Sequence, residues 1–374
     1  MSSGVRLKPP FAERGGSARG LIDLATGCYP RFLFGGSVSS LLPVFHLHES
    51  DPIVLESRLR YLAENGYRTV PTDAIARLVI DGIHPGPRTA ALCFDDCWAT
   101  LWTVAGPLLR AHGMSAIAFA IPGRISDAAA PRPTIQEDAA AATAADQSAV
   151  PFATWIELRQ LQSAGLVDVQ SHTFSHSAIF SDAHLVDFVS PEFATRPLLN
   201  RPLGSAAGAW LTPADLGAPL YIQRSRMSDA LRFFDDQSVR ERCMQHVAAA
   251  GGPAFFSRPD WRTELRRVAG ETRGQFESPS NRQRTIVAEL HDARSVLEER
   301  LGVPVRHVCL PWGIAGEQAR VSLTRTGHQL AFADRLFGRR AVAAGDDPHS
   351  LMRLHERYIT CLPGRGRRMF FTAR

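Results

Sequence analysis

Three short stretches of this 374-residue chain hold side chains that can do hydrolytic chemistry. Asp95 and Asp96 follow directly on the apolar run Thr89–Phe94. A carboxylate pressed against an apolar segment is costly to ionise unless it is paired or bound to a cation. His172 and His176 stand four residues apart in Ser171-His172-Thr173-Phe174-Ser175-His176. On one helical turn that spacing points both imidazoles the same way. With Asp96 they offer two nitrogens, one oxygen and an open position, which is the ligand set of a catalytic metal site and not of a structural one. Zn2+ suits it, and Co2+, Ni2+ or Fe2+ could occupy it. The plain alternatives are a solvated carboxylate pair and two packed or exposed histidines.

These residues need elements that carry them to one place. Apolar runs at residues 42–45, 89–94, 115–121, 166–170, 305–310 and 329–333 read as buried strands. Between them, Leu55, Leu59 and Leu62, then Ile75, Leu78 and Val79, then residues 101–109 recur at helical spacing. Thr154 and Glu157 make a capping box for a helix closed by Gly165, and Ile286, Leu290, Leu297 and Leu301 line another, closed by Gly302. Strand and helix in alternation predict an α/β fold with a parallel sheet. In such a fold the site lies at the carboxyl ends of the strands, where His48, Asp95, Asp96, His172 and the turn Pro311-Trp312-Gly313 all fall. Residues 126–150, rich in Ala, Asp and Pro, read as a loop. The rhythm breaks at about 180–282, where scattered prolines predict a largely helical or irregular insertion over the site. Residues 1–40 read as an N-terminal extension to a domain at 41–374.

Composition narrows the function classes. Hydrophobic residues at 45% and charged residues at 21% predict a sizeable core. A net charge of +5 would favour an anionic sugar, a phosphate or a membrane surface. The absence of a dense Lys/Arg run with interleaved aromatics argues against nucleic acid. Six scattered cysteines without a CxxC pair, and no apolar stretch after Arg6, Lys8, Pro9 and Pro10, predict a reduced, cytoplasmic protein. The apolar patch at residues 32–45 is broken by Gly35 and Gly36 and is too short to span a bilayer. Arg365, Arg367, Arg368, Phe370 and Phe371 near the C-terminus read as a disordered basic tail, with peripheral membrane contact as the alternative.

The motifs together resemble the polysaccharide deacetylases, the NodB-homology domain of carbohydrate esterase family 4. Phe94-Asp95-Asp96 resembles the family's Phe-Asp-Asp-Gly, Ser171 to His176 its Ser-His-Thr-x-x-His, and Leu310-Pro311-Trp312-Gly313 its third motif, which usually ends Pro-Tyr-Gly. Residues 59–67 and 155–165 resemble the segments that precede the first two motifs. The likeness covers about 40–180 and 285–360. It implies a deformed (β/α) barrel with fewer than eight strands, one metal on Asp96, His172 and His176, and Asp95 as general base. It implies a hydrolase that removes acetyl from an N-acetylated sugar, small or nucleotide- or lipid-linked rather than polymeric. A non-sugar linear or cyclic amide is the second reading, and an inactive carbohydrate-binding homologue the third. Pro43-Val44-Phe45-His46-Leu47-His48 is similar to a segment that places a general acid, which points to His48 first and His46 second. Leu351-Met352-Arg353-Leu354 looks like a segment whose arginine supports the catalytic Asp; Cys309 stands where other members carry that arginine. Cys97 replaces the motif glycine. Cys97, Leu310 and Trp312 are expected to line the substrate pocket.

Overall fold

Continuous apolar strands have no polar face to offer water, so a sheet built from them must be covered on both sides. The computed structural model describes residues 17–48, 50–204, 208–271 and 273–373. The opening stretch with Arg6, Lys8, Pro9 and Pro10, the first 16 residues of the expected extension, lies outside the described residues. The chain divides into two compact units. Of the described residues, the larger holds 17–175, 288–315 and 320–373; the smaller holds 176–287 and 316–319.

In chain order the strands of the larger unit are β1 (Val44–Leu47), β2 (Arg68–Thr69), β3 (Thr89–Phe94), β4 (Ala116–Ala120) and β5 (Val167–Ser171). The smaller unit follows with β6 (Ala178–Phe188), β7 (Pro202–Leu203), β8 (Pro219–Ser225), β9 (Phe233–Asp235) and β10 (Gly274–Phe276). The larger unit then adds β11 (His307–Cys309), β12 (Leu330–Phe332) and β13 (Leu354–His355). The helices are α1 (Ser17–Ala25), α2 (Pro52–Glu64), α3 (Thr72–Asp81), α4 (Gly106–Ala111), α5 (Ala139–Thr143), α6 (Trp155–Ser163), α7 (Gln237–Ala249), α8 (Trp261–Ala269), α9 (Pro279–Leu301) and α10 (Glu317–Arg325).

The larger unit is a deformed (β/α) barrel. Its strands run β12-β11-β5-β4-β3-β1-β13, every neighbouring pair parallel, with β2 beside the start of β3. β3 and β4 are buried along their whole length, as central parallel strands must be. The helices start and stop where local chemistry dictates. Asp51 caps α2 by accepting from the Val54 N–H at 2.9 Å, and Gly66, at φ 67, closes it. The Thr154–Glu157 capping box opens α6, and the Glu157 carboxylate also pairs with Arg132 at 2.6 Å. Because the strands are parallel, His48, Asp95, His172 and Leu310 all leave their strands at one edge of the sheet.

Two expectations need correction. Residues 101–109 are not one regular helix: residues Leu101–Ala105 form a π-helical turn that leads into α4, because Pro107 cannot donate to the preceding turn. The 126–150 loop contains α5, and its Asp146 accepts from the Thr100 N–H and hydroxyl, both at 2.7 Å. The 180–282 stretch is largely helical or irregular, as expected, and it also holds strands. β6 pairs antiparallel with β8 and parallel with β7, and β9 pairs antiparallel with β10, beside α7 and α8. Pro202 and Pro219 are the first residues of β7 and β8, where no ladder N–H is needed, so these prolines start strands instead of breaking them. Register shifts between Phe180 and Asp187 break the period-two pattern of β6. Phe180, Phe193, Leu220, Tyr221 and Phe233 form one core of this unit, and Phe255, Trp261 and Leu265 another.

The C-terminal basic stretch is also packed, not loose. The Arg367 guanidinium donates to the carbonyls of Gly35, Gly36 and Cys361 at 2.7–3.0 Å. The Phe370 ring stacks on Tyr358 at 5.1 Å and meets Tyr29 edge-on at 4.8 Å. All six cysteines are buried and free. Among the described residues, no helix is long and apolar enough to cross a membrane.

Candidate metal centre and its surroundings

The site begins where β3 ends. The Asp95 N–H still donates to Leu47 O at 2.9 Å, extending the β1–β3 ladder by one bond. The chain then turns through two left-handed residues, Asp96 at φ 68 and Cys97 at φ 55. Non-glycine residues there cost about 1 kcal/mol or more each, so something must hold the turn. The turn separates the carboxylates that sequence alone leaves side by side. Asp95 goes to Arg353, whose Nη1 and Nη2 donate to its two oxygens at 2.6 and 2.7 Å. Asp96 goes the other way: its Oδ2 accepts from the Trp98 indole N–H at 3.1 Å, and its Oδ1 lies 3.3 Å from His172 Nε2. Trp98 is itself stacked on Phe152, ring centres 4.7 Å apart.

The His-x-x-x-His stretch is not helical, which corrects the expectation of one helical turn. It is an irregular turn with left-handed Thr173 (φ 63) and His176 (φ 51). The Thr173 N–H donates to Ser171 Oγ at 3.2 Å within the motif, and further bonds come from outside it. The His172 N–H donates to Ala120 O at 2.7 Å, and the Phe174 N–H to Glu289 O at 2.9 Å. The Glu289 carboxylate accepts from the Ser175 N–H at 2.9 Å and from the Ser175 hydroxyl. The Gly123 N–H donates to Phe174 O, and a Cβ at Gly123 would sit 2.6 Å from that oxygen, so the contact needs glycine.

Asp96, His172 and His176 each place one ligand atom so that all three lie within 4.8 Å of one another, and all three are buried. The donor set fits a divalent cation, and so does its support. His172 Nδ1 donates to Cys309 O at 2.6 Å, which leaves Nε2 facing Asp96, the way a ligating imidazole is usually fixed. Burial works against charge on His172, yet its contacts with Cys309 and Asp96 outweigh this and raise its pKa well above the ordinary value. This pocket of acceptors calls for positive charge.

Asp95 is set up differently. Burial pushes its carboxyl up, but the Arg353 guanidinium outweighs burial and holds it well below the usual carboxylate range. Arg353 lies against the rings of Phe119 and Phe332, 5.6 and 5.5 Å from their centres, and reaches Cys309 Sγ at 3.0 Å. His48 Nε2 lies 3.7 Å from Asp95 Oδ2, with a side chain 55% exposed. His46 is half-buried behind it, ring centres 5.5 Å apart. Burial first, and Arg353 second, push the His46 pKa well below its ordinary value.

The structure therefore brings Asp95, Asp96, His48, His172, His176 and Arg353 together. Trp312 is half-buried and left-handed, at φ 55. Leu310 and Cys97 are fully buried, so their side chains offer a substrate no surface in this structure. Sequence reading missed Trp98 and Glu289. Trp98 lies two residues from Asp96 and was open to notice; Glu289 sits on α9, 114 positions from Ser175, with no local signal.

Residues 82–195 match the family model described as polysaccharide deacetylase. No curated protein matches the chain significantly. Among solved structures, the BpsB deacetylase domain from Bordetella bronchiseptica is similar at 15% identity, covering 84% of this chain and 95% of its own, with a TM-score of 0.50. IcaB from Ammonifex degensii aligns at 16% identity over 84% and 92%, TM-score 0.47. The Streptococcus pyogenes deacetylase PplD, solved with acetate, aligns at 12% identity over 84% and 92%, TM-score 0.47. At these identities the likeness speaks to the fold, and the BpsB domain supports the deformed barrel.

Proposed function

We infer that this chain, a polysaccharide deacetylase by its family pattern over residues 82–195, is an amide hydrolase that removes acetyl from an N-acetylated sugar. The observation that carries this reading is the gathering of Asp96, His172 and His176 within 4.8 Å, with the Arg353-held Asp95 next to it. A divalent cation on those three ligands, Zn2+ ahead of Co2+, Ni2+ or Fe2+, would polarise the acetamide carbonyl and acidify water. Asp95 receives the proton of the attacking water. Arg353 keeps Asp95 ionised at every working pH and fixes its orientation, at some loss of basicity. His48, exposed beside Asp95, is placed to give a proton to the departing amine, with His46 the second choice. A backbone N–H near Cys97 is a candidate donor to the oxyanion.

The test is metal analysis together with acetate release from a panel of N-acetylated sugars. Bound metal and released acetate are expected. Metal without acetate would favour a linear or cyclic non-sugar amide, and no metal an inactive binding homologue. We carry forward the reading of a small, nucleotide- or lipid-linked substrate; faster release from such sugars than from polymer is the expected result. Six buried free thiols support the reading of a cytoplasmic protein, which cell fractionation tests. Exposed Phe34, Met369 and Phe371 near Arg365 and Arg368 support contact with an anionic membrane. Flotation with anionic liposomes tests that contact, and no binding discards it.

A further inference from the structure

The two histidines at the end of β1 do more than supply a candidate acid. His46 lies on β1 and His48 directly follows its last residue, Leu47; the two rings meet edge-on with centres 5.5 Å apart. β1 pairs with β3 so that Leu47 lies opposite Phe94, which brings Asp95 beside His48. One ligand atom each from His46, His48 and Asp95 lies within 4.8 Å of the other two. A third imidazole flanks them. His355 on β13 is in register with His46, ring centres 5.4 Å apart, and its Nδ1 accepts the Arg357 N–H.

We propose that His46, His48 and Asp95 form a second cation site, distinct from Asp96, His172 and His176, that takes Zn2+ or a similar borderline metal and silences the enzyme when filled. Two imidazoles and a carboxylate are the donor types of the first site, so the same metals compete for both. Arg353 uses one lone-pair position on each Asp95 oxygen and leaves others open, since a carboxylate has about four. The exposed His48 gives an entry path. The nearby guanidinium charge repels a cation, so this site fills after the first. Once filled, it occupies the lone pairs of both Asp95 and His48 and removes them from proton transfer. The loss of turnover rests on the deacetylase reading above; the second site itself does not.

Equilibrium dialysis of metal-free protein against Zn2+ alone tests the proposal. The wild type is expected to take up two equivalents, the second with a dissociation constant at least about tenfold higher. His46→Asn should take up one, and Asp96→Asn should keep one. In acetate-release assays, excess Zn2+ should inhibit the wild type at the concentration that fills the second site. In His46→Asn that concentration should rise about tenfold or more. A wild type that saturates at one equivalent that Asp96→Asn loses, or a His46→Asn variant that still binds two, overturns the second site. If the single equivalent disappears in Asp96→Asn, the deacetylase reading survives without it. If it disappears in His46→Asn and persists in Asp96→Asn, the second site stands and the proposed ligand set of the hydrolase falls.

Discussion

The turn after β3 and the turn after β5 meet the same problem by different means. Each strings together left-handed residues that are not glycine: Asp96 and Cys97 in the first, Thr173 and His176 in the second. The first is fixed by charge, through the two-pronged Asp95–Arg353 pair and the Trp98 bond to Asp96. The second is fixed by neutral backbone and hydroxyl donors that converge on the Glu289 carboxylate. In both, the strain sits at the site while the residue that holds it lies far along the chain. The metal ligands are therefore only as well placed as two remote side chains allow.

Removing Arg353 should separate the two turns most clearly. Arg353→Ala leaves a buried, unpaired Asp95, and loss of one partner of such a pair costs about 3–5 kcal/mol. Chemical denaturation should show that loss, and turnover should fall by about a hundredfold or more. Arg353→Lys keeps the charge without the fork, so it should regain stability more than turnover. The pair also predicts a pH signature. Asp95 titrates lower in the folded than in the unfolded chain. Its contribution is present above the unfolded carboxyl value of about 3.9 and is lost as pH falls through the lower folded value. In Arg353→Ala burial alone lifts the Asp95 carboxyl above its unfolded value, so the stability deficit of the variant should shrink as pH falls and Asp95 takes up a proton.

Glu289→Gln comes next. It weakens two bonds to Ser175 without a large change of shape, and should cost about 1–3 kcal/mol. Metal affinity should drop about ten- to a hundredfold while Asp95 keeps its titration. If equilibrium dialysis shows unchanged affinity, the His turn is held by something other than Glu289. Trp98→Phe removes one bond to Asp96 and keeps a ring against Phe152; about tenfold weaker metal binding is expected, with little change in stability. Cys97→Gly is the smallest. Relief of left-handed strain and added freedom of the unfolded chain nearly cancel, so the melting midpoint should shift by less than about 1 kcal/mol equivalent. A large loss would mean that the buried thiol itself packs the turn.

Much of the larger unit was legible because its strands are apolar throughout and end abruptly in polar residues. Thr89–Phe94 is the clearest case: the run of buried residues and the strand coincide. β13 was not legible, being two residues long and defined only by its pairing with β1. The histidine spacing was informative and its explanation wrong. Four-residue spacing suggested a helix, whereas the rings converge through a strained turn whose φ values no local pattern discloses. Arg353 could be singled out from a motif-like segment, but Glu289 could not, since nothing near it in sequence differs from an ordinary exposed helix face. In the smaller unit the prolines did not disclose the short strands, because a proline that ends one element and one that begins another look alike until the pairing is known.

The Arg367 clamp has a consequence for how the barrel ages. It fastens the last stretch of chain onto the carbonyls that follow Phe32, and Phe370 fills the gap between Tyr29 and Tyr358. A protease nick just ahead of Arg367 would take away a latch and a plug in one cut. The damage would surface at the opposite end of the polypeptide, where residues 29–36 would lose their seat while the metal ligands stayed where they are.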